Sequence, residues 1–400
     1  MDIIPDGSIL SAAGFAVGAA RGGLKKAAGE PDVALVVCDA PTSGAGLFTV
    51  NRFAAAPVQW CRRHLPSPRV RAVAVNSGNA NACTGEQGDR DVQRTAELIA
   101  DLVGCAPEDV CVASTGIIGH PLPMDKIEAG LRESHLRIGT GEAHARAAER
   151  AIMTTDTRPK AAAVRSAVDG RTFHVGGMAK GSGMIAPNMA TMLAFVTTDA
   201  LVAPGDLREF LREAAGQTFN RITVDGDSST NDSVIALAGG RSGVNVTPDG
   251  PGAAEFRQAL LAVMDSLALQ IVRDGEGATK VIEVIVEGAA DADSAHRVAR
   301  AVAESQLVKC AVYGCDPNWG RIVCAIGYSG AAVQPHTTTV HIGPVCVFHN
   351  GMPTGADARA PMHADTVAVR INLGIGFGRG RVRSCDLTRE YVRINAEYPT

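Results

Sequence analysis

Aromatic side chains are scarce in this sequence: they make up 4% of its 400 residues, with Trp60 and Trp319 the two tryptophans. So thin a supply argues against the stacking platforms that bind single-stranded nucleic acid. An excess of one charge is lacking as well. The 38 Lys and Arg nearly balance 42 Asp and Glu, a net charge of −4, which leaves no field to gather a polyanion or an anionic membrane surface. No apolar run approaches the roughly 20 residues that cross a bilayer. Asp2 and Asp6 stand where an export signal carries positive charge. A cytoplasmic protein is expected, with neither nucleic acid nor membrane among its partners.

Several catalytic signatures are missing too. The ten cysteines form no C-x-x-C pair and no H-E-x-x-H occurs, so reduced, mostly buried thiols are expected rather than a zinc site. There is no G-x-x-x-x-G-K-[ST] phosphate loop and no G-x-S-x-G nucleophile elbow. "INLGIGFGRG" (371–380) imitates a dinucleotide fingerprint, but counted from Gly374 the third glycine falls on Arg379, and no helical pattern follows. A glycine-rich strand end is the expected reading.

What the chain does have is glycine, 44 residues of it, and short apolar runs alternating with amphipathic segments. "DVALVVCD" (32–39), "RAVAVNSG" (71–78), "DVCVASTGIIG" (109–119), "KVIEVIVEG" (280–288), "TTTVHIG" (337–343) and "DTVAVRINLG" (365–374) read as strands. Helical spacing appears over 89–104, 204–219, 253–274 and 294–305. Strands mixed with helices throughout predict an α/β or α+β protein of sheets covered by helices.

The candidates for chemistry are hydroxyls beside glycine-rich turns. "VASTGIIG" puts Ser114 and Thr115 before Gly116, where a strand ends; a hydroxyl next to an open backbone N–H can hold an oxyanion, although a strand-ending Ser/Thr turn is the plainer reading. "NSGNANACTG" (76–85) reads as a polar loop, and "IMTTDTRPK" (152–160) as a helix end. In "KGSGMIAPNMATMLAFVTTDA" (180–200) a loose glycine-rich lead runs into an apolar stretch headed by Thr191. A β-branched residue at a strand start is ordinary. A threonine that becomes a chain terminus is not, because its own α-amine, with a pKa of about 7.7–8.0, then serves as the base that activates its hydroxyl.

These blocks, with "GFAVGAARGGLKK", "STGIIGHPLPMDKI", "VDGDSSTNDS", "DGEGATK", "SQLVKCAVYGCDPNWGRIVCAIGYSG" and "CDLTREYVRINAEYPT" in the same order, resemble the ornithine acetyltransferase family, the bifunctional glutamate N-acetyltransferases of arginine biosynthesis. The resemblance covers residues 14 to 400 and is weakest at the basic "GRGRVRS" (378–384). It implies a two-lobed α/β sandwich and a chain that cuts itself between Ala190 and Thr191, into residues 1–190 and 191–400. Two copies of each piece are expected to associate. Thr191 would be the nucleophile, with Thr115 and Gly116 at the oxyanion hole. Thr154, Lys180, Thr191, Glu276, Asn395 and Thr400 would touch substrate. Lys180 suits an α-carboxylate and Glu276 an ammonium group. The implied substrates are N-acetylornithine and glutamate, with acetyl-CoA a further candidate donor and no metal or organic cofactor. Rival readings are a self-processing amidohydrolase or aminopeptidase, a relative in secondary metabolism with another acyl donor, and a non-catalytic binding protein on the same scaffold.

The mature protein is therefore expected as two fragments, each about half of the 41.4 kDa chain, the second beginning Thr-Met-Leu-Ala-Phe. Denaturing electrophoresis with N-terminal sequencing checks this; an active preparation of uncut chain would overturn it.

Overall fold

The computed structural model describes residues 1–25, 29–186 and 192–397. Its centre is a nine-stranded sheet in the order Asp2–Ile3, Lys160–Val168, Arg171–Lys180, Leu193–Thr198, Ser233–Ala238, Val33–Phe48, Ser67–Asn79 and Val110–Ile117, with Phe15–Ala20 paired to the first half of Val33–Phe48. Its middle strands are apolar on both faces. Along Leu193–Thr198, Leu193 and Phe195 point into one core while Ala194 and Val196 point into another; Ile235 and Leu237 alternate with Val234 and Ala236 in the same way on the neighbouring strand. A strand covered on both sides reads as one continuous apolar run, which is why "TMLAFV" carries no polar/apolar alternation.

The first core is closed by the helices Ala56–His64, Gly85–Val103, Met124–Leu136 and Glu142–Ala151, and the second by Pro204–Gln217 and Ala253–Arg273. Their ends follow local rules. Pro204 opens its helix at a position where the missing N–H is harmless, and Gly104 closes Gly85–Val103 at φ +70. The expected strand 32–39 continues to Phe48 through Pro41. Proline is tolerated because Cys38 is the last residue paired to Phe15–Ala20 and Ser43 the first paired to Ser233–Ala238, so no ladder bond is asked of residue 41.

A second lobe holds a six-stranded sheet: Met352–Pro353, Val345–His349, Thr339–Ile342, Thr366–Asn372, Val281–Ala289 and Gly378–Cys385. The helices Ala292–Glu304, Gln306–Tyr313 and Trp319–Gly327 cover one face of it over a third core. The two-lobed arrangement of sheets covered by helices is the expected one. The basic Gly378–Cys385 strand ties the lobes together: Arg381 and Arg383 each place a guanidinium nitrogen 2.8 Å from Asp265 of the Ala253–Arg273 helix, and Arg383 also reaches Glu283 at 3.1 Å. "INLGIGFGRG" is indeed a strand end and turn, Gly374 having φ +66. One expectation is corrected. Only Cys38, Cys61, Cys111 and Cys385 are buried, while Cys83, Cys310 and Cys324 are exposed; the last two lie on helices of the second lobe, on sides turned away from its core. Among the described residues, no helix is long and apolar enough to cross a membrane.

Phe256 is fully buried and meets Phe210 edge-on at 5.1 Å between ring centroids. Phe256→Ala should cost about 3–5 kcal/mol through lost burial and a residual cavity, read as a lower urea midpoint.

Candidate active site

A cavity of about 380 Å³ opens where seven separate stretches of chain converge, five of which carry expected site residues. Thr115 and Gly116 come from the end of the Val110–Ile117 strand, Thr154 from the loop after the Glu142–Ala151 helix, and Lys180 from the last position of Arg171–Lys180. Glu276 follows the Ala253–Arg273 helix, and Asn395 lies on the C-terminal helix Arg389–Glu397. Six expected site residues, spread over 280 positions of sequence, thus share one cavity. Ala190, Thr191 and Thr400 lie outside the described residues.

Glycine chemistry shapes two walls. Gly116 has φ +134 and packs against Gly78, where a Cβ would collide with the Gly78 backbone. Asn231 fastens this strand end, its amide donating to the carbonyls of Ala80 (2.6 Å) and Ser114 (2.9 Å). Ser114 and Thr115 point opposite ways, as successive strand residues must. The Ser114 hydroxyl is spent on Asn76 Oδ1 (2.6 Å), while Thr115 Oγ1 accepts from Lys180 Nζ at 3.4 Å. On the other wall, a Cβ on Gly183 would lie 2.5 Å from both carboxylate oxygens of Glu276. Glu276 Oε2 in turn accepts the Asn395 amide at 2.8 Å.

Behind the cavity lies a chain of buried charges. Asp156 accepts from Lys160 Nζ (2.6 Å) and the Gly181 amide (2.7 Å) on Oδ1, and from the Thr154 amide (3.0 Å) on Oδ2, with Lys180 Nζ 4.0 Å away. Lys160 also donates to Asp274 Oδ2 at 2.6 Å and is fully buried. Burial by itself would raise the Asp156 carboxyl, but Lys180 and Lys160 together hold it well below the ordinary carboxylate range. Lys180 shifts the other way from what a single ion pair gives. Its burial lowers the ammonium pKa, Asp156 opposes this, and Lys160 adds repulsion. The Lys180 ammonium is cut off from water with Asp156 no nearer than 4.0 Å, and it suits an incoming carboxylate. Facing it, Glu276 offers a carboxylate. A cavity with a buried cation and an anion in its walls is fitted to a zwitterionic amino acid.

Sequence reasoning gave six of the lining residues but neither Asn231, which also lines the cavity, nor the groups behind the wall. Lys160, Asp274 and Asn231 were visible only as letters inside blocks, since nothing in their spacing says that they meet. Asp225 is another such residue: it accepts the Met184 amide (2.6 Å) and the Ile185 amide (2.9 Å), pinning the lead to residue 191, and burial pushes its carboxyl up to about 6. Among the described residues, no group of His, Cys, Asp or Glu could hold a metal ion.

Fold and cavity together define an α/β sandwich with an amino-acid-sized, charge-lined cleft. The model of the ArgJ family matches residues 16–400, and the chain belongs to that family. It is 48% identical to the arginine biosynthesis bifunctional protein ArgJ of Symbiobacterium thermophilum, over 98% of this chain and 99% of that one. It is 46% identical to the protein of the same name from Geobacillus kaustophilus, over 99% and 97%. Among solved structures, the arginine biosynthesis bifunctional protein ArgJ of Bacillus halodurans superposes with a TM-score of 0.50 at 49% identity, covering 51% of this chain and 98% of that chain.

Lys160→Met should remove the ammonium that the two buried carboxylates share and cost about 3–5 kcal/mol, measured by urea unfolding. A depressed carboxyl contributes stability that is complete above its unfolded pKa and lost as pH falls towards its folded one. Stability should therefore drop below about pH 4, and Asp156→Asn should flatten that drop.

Proposed function

We propose that this chain is a glutamate N-acetyltransferase of arginine biosynthesis, moving the acetyl group of N2-acetylornithine to L-glutamate through an ester on Thr191. Its relatives' names point to the pathway, and the convergence of Lys180, Glu276, Thr115 and Gly116 on one cavity carries the reading. Lys180 anchors the α-carboxylate that donor and acceptor share. Glu276 and Asn395 meet the far end of each: the carboxylate suits ornithine's ammonium, and the Asn395 amide supplies donors for glutamate's second carboxylate. Thr154 and Thr400 complete the substrate contacts.

The chemistry proceeds in two halves. Thr191 Oγ attacks the acetyl carbonyl, and its α-amine takes the hydroxyl proton. The tetrahedral oxyanion is held by Thr115 and the backbone at Gly116. The proton then passes to the leaving nitrogen, ornithine departs, and the α-amine of glutamate attacks the acetyl ester by the reverse route. A free amine on Thr191 requires prior cutting after Ala190. The size relation to the Bacillus halodurans chain, matched almost end to end by half of this one, supports a chain divided near its middle. Pieces 1–190 and 191–400 then pair, two of each, in the working assembly. Acetyl-CoA enters as a second acetyl donor to the same threonine.

Because one site serves donor and acceptor in turn, double-reciprocal plots at several glutamate concentrations should be parallel. Without glutamate, the fragment that begins at Thr191 should gain the mass of one acetyl group. Intersecting lines with no acetylated fragment would mean direct transfer, and free acetate in place of acetylglutamate would mean a hydrolase. Thr191→Ala should be uncut and inactive. Lys180→Ala should raise KM by roughly ten- to a hundred-fold.

A further inference from the structure

Thr115 and Gly116 end the strand at one edge of the central sheet, whereas Leu193–Thr198, the strand that follows residue 191, lies near its middle. Ser233–Ala238, Val33–Phe48 and Ser67–Asn79 stand between them, four interstrand spacings of about 4.8 Å each. Strand twist accumulates over such a span. The ladder is also irregular at the edge: Asn79 faces both Thr115 and Ile117, so the register shifts beside the proposed oxyanion hole. Such a shift re-aims a strand end and frees backbone groups from the ladder. Pairing within the sheet therefore leaves the hole loosely placed against the middle strands.

The loop Ser229–Thr230–Asn231 crosses the strand ends and closes that gap. It leads into Ser233–Ala238, which pairs in parallel with Leu193–Thr198. Its carbonyls are held just past the end of Val33–Phe48, Ser229 by the Thr49 hydroxyl (2.7 Å) and Thr230 by the Ala55 N–H (2.9 Å). Buried Asn231 then reaches the two remaining strand ends, its amide donating to the carbonyls of Ala80 and of Ser114, the residue before Thr115. Carbonyls only accept, so the NH2 must face them, and Asn231 Oδ1 accepts the Thr230 hydroxyl at 2.6 Å. From the other side Lys180 Nζ donates to Thr115 Oγ1. An ammonium has no acceptor, so the Thr115 hydroxyl hydrogen is left for the cavity.

Resting on the reading of Thr115 and Gly116 as the oxyanion hole, we propose that Asn231 is a positioning residue for that hole. Its amide ties the Ser114 peptide to the strand pair that follows residue 191, and so fixes the Thr115 hydroxyl and the Gly116 backbone where charge develops. An oxyanion hole stabilises only if its donors are already in place when the charge forms. Asn231 lines the cavity, but both of its donors are spent on backbone carbonyls. It gains no proton, loses none and makes no bond to the acetyl group.

Asn231→Ala removes both donors. Assayed at a temperature where it is fully folded, it should lose kcat roughly a hundred-fold through misplacement of the hole. KM for acetylornithine should be kept, because the hole grips the transition state and not the substrate. Thr115→Ala measures the hole itself and should lose roughly a hundred- to a thousand-fold. The double variant separates positioning from a general loss of structure: if Asn231 acts through the hole, the combined loss falls well short of the product of the two. Thr230→Val removes only the hydroxyl that orients the Asn231 amide, and stands in if Asn231→Ala fails to fold or to cut. A smaller kcat loss at constant KM, again less than multiplicative with Thr115→Ala, supports the proposal. Wild-type kcat in Asn231→Ala, or in Thr230→Val standing in for it, overturns the proposal, as do losses that multiply. An unimpaired Thr115→Ala would mean that the reading of the hole has failed. An impaired Thr115→Ala beside a normal Asn231→Ala would remove the Asn231 role alone.

Discussion

Lys160 is held between Asp156 and Asp274 with its ammonium shut away from water, and the cavity hangs on that arrangement. Asp156 is the hub. One of its oxygens fixes Gly181, the other fixes Thr154, and the carboxylate lies within reach of Lys180. Asp274 carries the same scaffold towards Glu276, its backbone carbonyl accepting the Ser182 hydroxyl at 2.5 Å and its side chain accepting from Thr157. Buried charges of this kind are tolerable only when each has its partners. Here the partners include the backbone amides of Thr154, which lines the cavity, and of Gly181, next to Lys180, so the cost of burial is converted into position.

The second lobe contributes through a similar device. Lys309 is a buried ammonium that donates to the Val224 carbonyl (2.7 Å), the Ser384 hydroxyl (3.0 Å) and the Cys385 carbonyl (2.5 Å). It thereby joins a helix of the second lobe to the residue just before Asp225 and to the end of the Gly378–Cys385 strand. Asp386, next along, accepts the amides of Thr279 and Lys280, which steadies the loop bearing Glu276 against the segment that leads to Asn395. The far end of the cavity is thus set by contacts between lobes, and the near end by the central sheet alone.

Described residues on both sides of positions 187–191 are gripped by carboxylates. Asp225 holds the amides of Met184 and Ile185, with Met184 at φ +57, and Asp232 holds the amide of Met192. A non-glycine residue with positive φ is strained unless its surroundings impose the conformation, and two short bonds to one half-buried carboxylate are such an imposition.

Fold class and most elements were legible in the sequence because they rest on local patterns. The Gly85–Val103 helix shows in its apolar spacing, and the Val281–Ala289 strand in its run of branched residues. Six of the wall-lining groups were legible through blocks of family resemblance, as with Thr115 before Gly116 and Glu276 in "DGEGATK". Local pattern failed where partners are distant. The strand expected over 32–39 stops short of Pro41, because only the gap between two pairing strands makes proline harmless in a longer one. Lys160, Asp274, Asn231 and Asp232 gave no signal, since a buried polar residue is identified by what it meets. By itself the sequence determined the strands, the helices and the residue types that an acetyl-transferring site needs. Only the tertiary structure decided which carboxylates stand behind them, because charge pairing and burial depend on distances through space that separation along a chain does not set.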